Sequence, residues 1–546
     1  MATLDDEGWH FSRWASLGAG FLLAAFAGTG YAFGIFSPSL QKALQYDQED
    51  IDMVASAGQV GMHLALVTGL LMDYCGQRIT LAVGALLIFG GFQLLYLSAT
   101  LVIPSSVASI SLFYFAAQLG CSALGITTIS VAIKNFPFRD RGKVAGLAKA
   151  YFGISSSVFA ELYYCLYEPD GIGFLRFTSV AVPLVVFLSM ATFTILPPEK
   201  VPYDKEECSR SLGTSKKSAD EESPSSPCFK LWYRHLGALI VFLLGVSFFS
   251  QFSPGSSTGL KAALATVLFG LLGMVHILPR YYGNLKQPKS GGRPYGEQVT
   301  PTSAAPCSNL VSESQPLLDR EGRPSEKGEW LVNTAHKGVG AAAGQDLGLW
   351  KALQQPSFWM LFLAFFCGTG SGLIVINNVQ QIARAVTGAS PSSYFVSLIG
   401  IFNCIGRVTI GWISDVCREY VTRPQLLCLV LLCMGLVHLA FASGFQAVFY
   451  PCLVLTALCY GGQFPLTSAI VADLYGSKYM AQNYGALDTA PSFGSYIFAA
   501  GLVNFFYERD ENNYYMKTFT VSSITCMSVS VLLLYVFHKK KGMHSL

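Results

Sequence analysis

The chain of 546 residues is 52% hydrophobic and 13% charged, with a mean hydropathy of +0.44; this excludes an ordinary water-facing globular surface and points to lipid as the solvent. The net charge of +3 is spread over separate short loops, so there is no basis for nucleic acid as a partner. Fourteen cysteines, among them Cys121, Cys367, Cys404, Cys433 and Cys459 inside apolar runs, lack CxxC pairs and metal-ligand spacing. They read as small packing residues, and no metal or cofactor is expected.

The chain opens on Asp5, Asp6 and Glu7, without the basic region or cleavage site of a signal peptide, so the first apolar run is expected to stay as a helix. Crossing the hydrocarbon takes about 20 mostly apolar residues in a helix. Such runs fall at 14–36, 52–72, 79–98, 107–133, 143–166 and 174–196. Two shorter runs, 236–250 and 259–278, flank a Ser253-Pro254-Gly255 turn and read as an added membrane hairpin, 236–278. Residues 280–349, rich in Gly, Pro, Ser, Lys and Glu, cannot bury enough apolar surface to order themselves and are expected to be disordered. Six further runs follow at 356–382, 392–413, 425–443, 446–472, 484–505 and 517–537. The expected protein is therefore an all-α integral membrane protein of two six-helix bundles, 1–200 and 351–546, joined by a cytosolic linker, 201–350. It has twelve transmembrane helices, or fourteen if the hairpin crosses.

Lys and Arg near helix ends favour the cytosol. Placing the N-terminus inside puts Arg78, Lys134, Arg139, Arg141, Lys143, Arg418, Arg423, Lys478 and Lys539 to Lys541 on the cytosolic side. The opposite loops then carry Asp47, Glu49, Asp50, Glu168, Asp170, Glu508, Asp510 and Glu511. Both termini and the linker are expected in the cytosol.

The first helix contains Phe26-Ala27-Gly28-Thr29-Gly30, and Phe366-Cys367-Gly368-Thr369-Gly370 repeats it at an offset of 340. In each half a GxxxD helix end follows, Gly69 to Asp73 and Gly411 to Asp415, so the halves read as a duplication. Gly28-Thr29-Gly30 follows no strand and belongs to no βαβ unit, so it reads as close helix packing rather than a dinucleotide loop. The fuller copy runs Gly69-Leu70-Leu71-Met72-Asp73-Tyr74-Cys75-Gly76-Gln77-Arg78; the second keeps Gly411, Asp415 and Arg418 without the later glycine. An Asp at a helix end beside Arg78 offers a charge-assisted contact that holds one state and breaks in another.

That segment resembles the loop motif of the major facilitator superfamily. Lys134-Asn135-Phe136-Pro137, Arg141-Gly142 and Gly146-Leu147-Ala148-Lys149 resemble the nodulin-like branch. So do Ile376 to Ile382, Gly406-Arg407-Val408, Gly411-Trp412-Ile413-Ser414, Gly461-Gly462-Gln463-Phe464-Pro465 and Asn483-Tyr484-Gly485 with Pro491, Gly494 and Ser495. The resemblance covers both halves but not the linker. It implies the major facilitator fold, with the motif acids pairing with basic groups across a cytosolic gate, and a distant likeness to oxalate, formate and monocarboxylate carriers.

A charge in the bilayer interior costs a few kcal/mol on insertion scales, so intramembrane ionisable residues are functional candidates. Here they are Lys149 in helix 5, Arg407 in the second helix of the C-half, Asp488 in the next-to-last helix and His63 in helix 2. Positive charge exceeds negative, which suits an anionic substrate held between the halves. Asn403 lies four residues before Arg407, on the same helix face. Monocarboxylate carriers resemble this with an Asp implicated in proton coupling; Asn does not titrate, which shifts any such role to His63 or Asp488. Gly461, Gly462, Pro465 and Pro491 are read as sites of bending or close packing.

In the linker, Glu313-Ser314-Gln315-Pro316-Leu317-Leu318 has the form of an acidic dileucine sorting signal, which implies a sorting adaptor and a vacuolar or endolysosomal membrane; otherwise the plasma membrane is the default. The expected function is transport of a small organic anion such as a monocarboxylate, with a coupled proton in one version. The alternatives are an amino acid or metal-chelate carrier, or a transport-dead sensor or scaffold. Neither a nucleophile with its base nor a carboxylate pair stands out, so no enzyme is expected.

Overall fold

The computed structural model describes residues 6–196, 226–252, 257–286, 346–387, 393–507, 509 and 514–543, and all regular structure among them is helical. The sorting residues Glu313, Leu317 and Leu318 lie outside the described residues. The first half comprises α1 (Asp6–Ala27), α2 (Phe33–Leu44), α3 (Gln48–His63), α4 (Ala65–Cys75), α5 (Gln77–Ala99), α6 (Val107–Lys134), α7 (Arg141–Gly153), α8 (Ser155–Leu166) and α9 (Gly171–Met190). The central hairpin is α10 (Ser226–Phe252) and α11 (Thr258–Lys286). The second half comprises α12 (Leu349–Leu353), α13 (Pro356–Thr387), α14 (Ser393–Val416), α15 (Arg423–Ala442), α16 (Phe449–Tyr475), α17 (Met480–Leu487), α18 (Ala490–Gly494), α19 (Val503–Tyr507) and α20 (Tyr514–Met543).

Among the described residues ten spans are long and apolar enough to cross a membrane, and both hairpin helices are among them. Several runs expected as unbroken helices are interrupted. The run 14–36 is α1 and α2 with a 3-10 turn, Thr29–Ala32, between them. The run 52–72 breaks at Leu64, 143–166 at Ile154, and 484–505 after Leu487 and again at a π-helical stretch, Ser495–Leu502. Hydropathy counts apolar residues and is blind to such breaks. They persist because neighbouring helices surround the freed backbone groups. Gly28 lies against the Ser155 side chain, and the Thr29 hydroxyl accepts a 3.1 Å hydrogen bond from Gln118. The glycine pair is thus a packing element, as expected, and also the site where the helix is interrupted.

The hairpin runs the length of the first half. At one end Phe229 packs edge-on against Trp14 at 5.2 Å. Midway, Tyr151 stacks on Phe21 at 4.5 Å and its hydroxyl meets His235 Nδ1 at 2.5 Å, while His235 Nε2 reaches the Leu271 carbonyl at 2.9 Å. Toward the other end Val246 and Ala265 join Tyr164 and Cys165 in a buried cluster, and Lys261 pairs with Glu168 at 2.8 Å. Val275 then returns to Gly18 of α1. The second helix extends to Lys286 and takes in the start of the stretch expected to be disordered.

Because the Tyr151 hydroxyl joins the hairpin to helix α7 in a buried setting, Tyr151→Phe is expected to destabilise the folded protein by about 1–2 kcal/mol. Chemical denaturation in detergent, compared with wild type, measures this.

Candidate functional site

Two helix pairs close one end of the bundle. Where α7 of the first half crosses α14 of the second, Gly142 and Gly146 lie against Gly411; a methyl at Gly411 would meet Gly146 Cα at 2.9 Å. Where α4 crosses α17, Gly69 lies on the backbone of Ala481, and Gly485 on that of Ala65. Only residues without a side chain let backbones approach this closely.

The motif aspartates cap these contacts reciprocally. Asp415, at the end of α14, accepts from the backbone N–H of Gly142 at 3.0 Å and of Lys143 at 2.7 Å, in the first turn of α7. Asp73, at the end of α4, accepts from the backbone N–H of Gln482 at 2.8 Å, in the first turn of α17. Each half therefore places a carboxylate on the positive end of a helix dipole in the other half. Their basic partners differ from the sequence expectation. Asp73 pairs with Lys134 at 3.0 Å, while Arg78 is exposed, because Gly76 at φ +84 turns the chain away from the helix axis. Asp415 pairs with Arg423 at 2.8 Å, and Arg418 instead lies over the Phe138 ring at 4.8 Å. Arg423 also pairs with Asp473, which Arg141 of the first half contacts at 3.2 Å. The described end of the linker is fastened here too: Asn483 Nδ2 donates to the Leu347 carbonyl at 2.8 Å, and the Lys478 N–H to Asp346 at 3.2 Å.

Beyond these crossings a cavity of no more than about 380 Å³ lies between the halves. All four ionisable candidates from the sequence line it: His63, Lys149, Arg407 and Asp488. His63 ends α3 and Asp488 follows the last residue of α17, so two helix breaks from opposite halves face each other there, His63 lying against the Asp488 backbone. Arg407 is 1% exposed, with Nε donating to Asn403 Oδ1 at 3.0 Å and one Nη to the Lys149 carbonyl at 2.8 Å. Its Nη2 and the Nδ1 of His63 are buried without a hydrogen-bond partner. Lys149 makes no ion pair within 4.0 Å among the described residues; its ammonium lies 4.8 Å from the Tyr484 ring, 5.7 Å from Phe152 and 5.8 Å from Phe464. The Arg407 guanidinium lies 4.6 Å from the Phe464 ring. Such cation–π contacts hold a charge in place without neutralising it. The Tyr484 hydroxyl donates to Asp488 at 3.0 Å.

Asn403 is therefore a support for Arg407 rather than part of the cavity wall, and Gly461 packs on its backbone. Gly462 lies against Ile410, Pro465 sits inside α16, and Pro491 falls in the first turn of α18. Sequence reasoning named Phe464 and Tyr484 only as parts of family motifs and missed Phe152, giving none of the three a place beside the cations. It also missed Glu161 of α8, 4% exposed with Oε2 lacking a partner, although an acid within an apolar run was a legible signal.

A model of the Nodulin-like family matches residues 13–277, and one of the Major Facilitator Superfamily matches residues 235–500. The chain is 22% identical over 503 residues to Protein NUCLEAR FUSION DEFECTIVE 4 of Arabidopsis thaliana, covering 90% of this chain and 79% of that protein. It is 29% identical over 166 residues to the oxalate:formate antiporter of Oxalobacter formigenes, covering 30% of this chain and 40% of the antiporter. Among solved structures, the proton:xylose symporter XylE superposes with a TM-score of 0.52 at 10% identity, covering 96% of this chain and 95% of that one. The human organic anion transporter MFSD10 gives 0.51 at 12% identity, over 97% of this chain and 100% of that one. These likenesses establish the fold.

The reciprocal capping has a specific consequence for hydrogen exchange. Asp415→Ala is expected to speed amide exchange by about tenfold or more at Gly142 and Lys143, and Asp73→Ala at Gln482, each leaving the other site slower to respond. Mass-spectrometric exchange on peptides from the starts of α7 and α17 reads this directly.

Proposed function

We propose that this chain, which belongs to the major facilitator superfamily and within it to the nodulin-like family, carries a small organic anion such as a monocarboxylate by alternating access. Membership makes it an integral membrane transporter of small solutes, not an enzyme. The observation that carries the anion reading is Arg407: a guanidinium 1% exposed in the inter-half cavity, held by two neutral oxygen acceptors, with Nη2 left to donate. Lys149 adds a second cation whose surroundings are aromatic faces. Two cations with donors still available suit a carboxylate, whose oxygens accept charge-assisted hydrogen bonds. The partial likeness to an oxalate:formate antiporter supports carboxylate recognition, without distinguishing a monoanion from a dianion. A zwitterionic amino acid is the second reading, favoured by Asp488 on the same cavity wall, where an ammonium group would find a carboxylate.

The contacts of Gly69, Asp73, Gly411 and Asp415 across the halves support a gate that is closed in this state, with Gly76 turning the chain beside it, and we take its side as cytosolic from the excess of Lys and Arg in its loops. Opening it separates each aspartate from the helix it caps, while closure of the far side would complete the cycle. His63 is the proposed proton-coupling group, with Asp488 as the alternative. The hairpin follows the first half from the gate end to the far end and back, which supports fourteen crossings with the linker and both termini cytosolic. The sorting motif at Glu313, Leu317 and Leu318 supports a vacuolar or endolysosomal address through a sorting adaptor.

Uptake of radiolabelled monocarboxylates into liposomes containing the purified protein tests the reading. Arg407→Ala is expected to lower uptake by about 10–100-fold, the loss of a hydrogen bond to a charged group, with Arg407→Lys intermediate because it keeps the charge but loses the bonds to Asn403 and the Lys149 carbonyl that hold the guanidinium in place. Uptake that survives Arg407→Ala unchanged would sink the anion reading. The same assay run across an imposed pH gradient tests coupling: a response supports symport, and its absence leaves uniport or exchange.

A further inference from the structure

We infer that Asp488 sets the valence of the anion this site accepts, limiting it to one negative charge. This rests on the anion reading and sharpens it. The cavity-lining residues include two cations, Lys149 and Arg407, and one carboxylate, Asp488, with His63 counted as the neutral imidazole. Neither cation is discharged by a direct ion pair: Arg407 is held by the oxygens of Asn403 and Lys149, and Lys149 by aromatic faces. Asp488 is joined to Lys149 through Tyr484, which turns its ring to the ammonium and donates its hydroxyl to the carboxylate. One tyrosine thus keeps the opposite charges close but apart, and each stays available to a third party.

The charge balance follows. With Asp488 ionised the empty site carries one net positive charge, and a monocarboxylate bound at Arg407 brings it to neutrality. A dicarboxylate would leave a net negative charge in a buried setting, where uncompensated charge is strongly penalised. Removing the Asp488 charge raises the site to two positive charges and reverses that preference. Nε and one Nη of Arg407 each make a bond within the protein, and Nη2 is the guanidinium nitrogen left without a partner and available to the substrate.

The test compares uptake of propionate and malonate, a matched monoanion and dianion, near neutral pH by liposomes holding the full-length protein. Wild type is expected to favour propionate by about tenfold or more, Asp488→Asn to lose or invert that preference, and Asp488→Glu to keep it. An Asp488→Asn protein that transports both anions in the wild-type ratio overturns the inference. Should Asp488→Asn fail to fold, competition on wild type decides: malonate that blocks propionate uptake as well as unlabelled propionate does also overturns it. Glycine or alanine that competes more strongly than propionate would make Asp488 an ammonium ligand instead, and overturns it likewise. Failure of the underlying anion reading looks different, because wild type would then move neither carboxylate before any variant is compared.

Discussion

A buried carboxylate lying on the N-terminal amides of a helix from the opposite half is the interaction on which the rest of this structure depends. It occurs twice, with Asp415 on α7 and Asp73 on α17. A carboxylate at a helix start is worth about 0.5–2 kcal/mol by capping and dipole together. That is enough to bias a two-state equilibrium, and small enough that substrate binding at a distance can reverse it. Glycines make the contact possible, since Gly69, Gly411, Gly142 and Gly146 bring the backbones close enough for the acids to reach. The contact between the halves is therefore strong in geometry and modest in energy, as the proposed reversible closure requires.

From that closed end, the arrangement of the cavity follows. The same helices that form the gate, α7, α14 and α17, continue into the interior and carry Lys149, Arg407 and, just past the end of α17, Asp488. Asp415 capping α7 and the 2.8 Å hydrogen bond from Arg407 to the Lys149 carbonyl join the same two helices, so the capping contact and the spacing of the two cations depend on one crossing. The proposed site and the proposed gate thus share helices, which is the physical route by which one would bias the other. Helix breaks at Leu64 and after Leu487 fall beside the cavity, where exposed backbone groups are shielded from lipid by protein.

The hairpin belongs to this scheme through α7. Tyr151, two residues beyond Lys149, is pinned between Phe21 of α1 and His235 of α10. The added helices thereby fix the cavity-lining helix to the first half. A linker that merely tethered the halves would not do this.

Much of this architecture was legible from residue types alone. The apolar runs, the duplicated FxGTG and GxxxD elements, and the four ionisable residues His63, Lys149, Arg407 and Asp488 stand out because the bilayer makes charge expensive and spacing informative. Tertiary structure alone decided partnerships. Lys134 rather than Arg78 meets Asp73, Arg423 rather than Arg418 meets Asp415, and Tyr484 stands between Lys149 and Asp488. Each of these depends on the rotation and crossing of helices far apart in the chain, and on glycine turns such as Gly76 that redirect a loop. Sequence by itself therefore determined which ionisable residues fall within the membrane-spanning runs; the packing of the two halves determined what each of them touches, because those contacts are made between chain segments that no local periodicity relates.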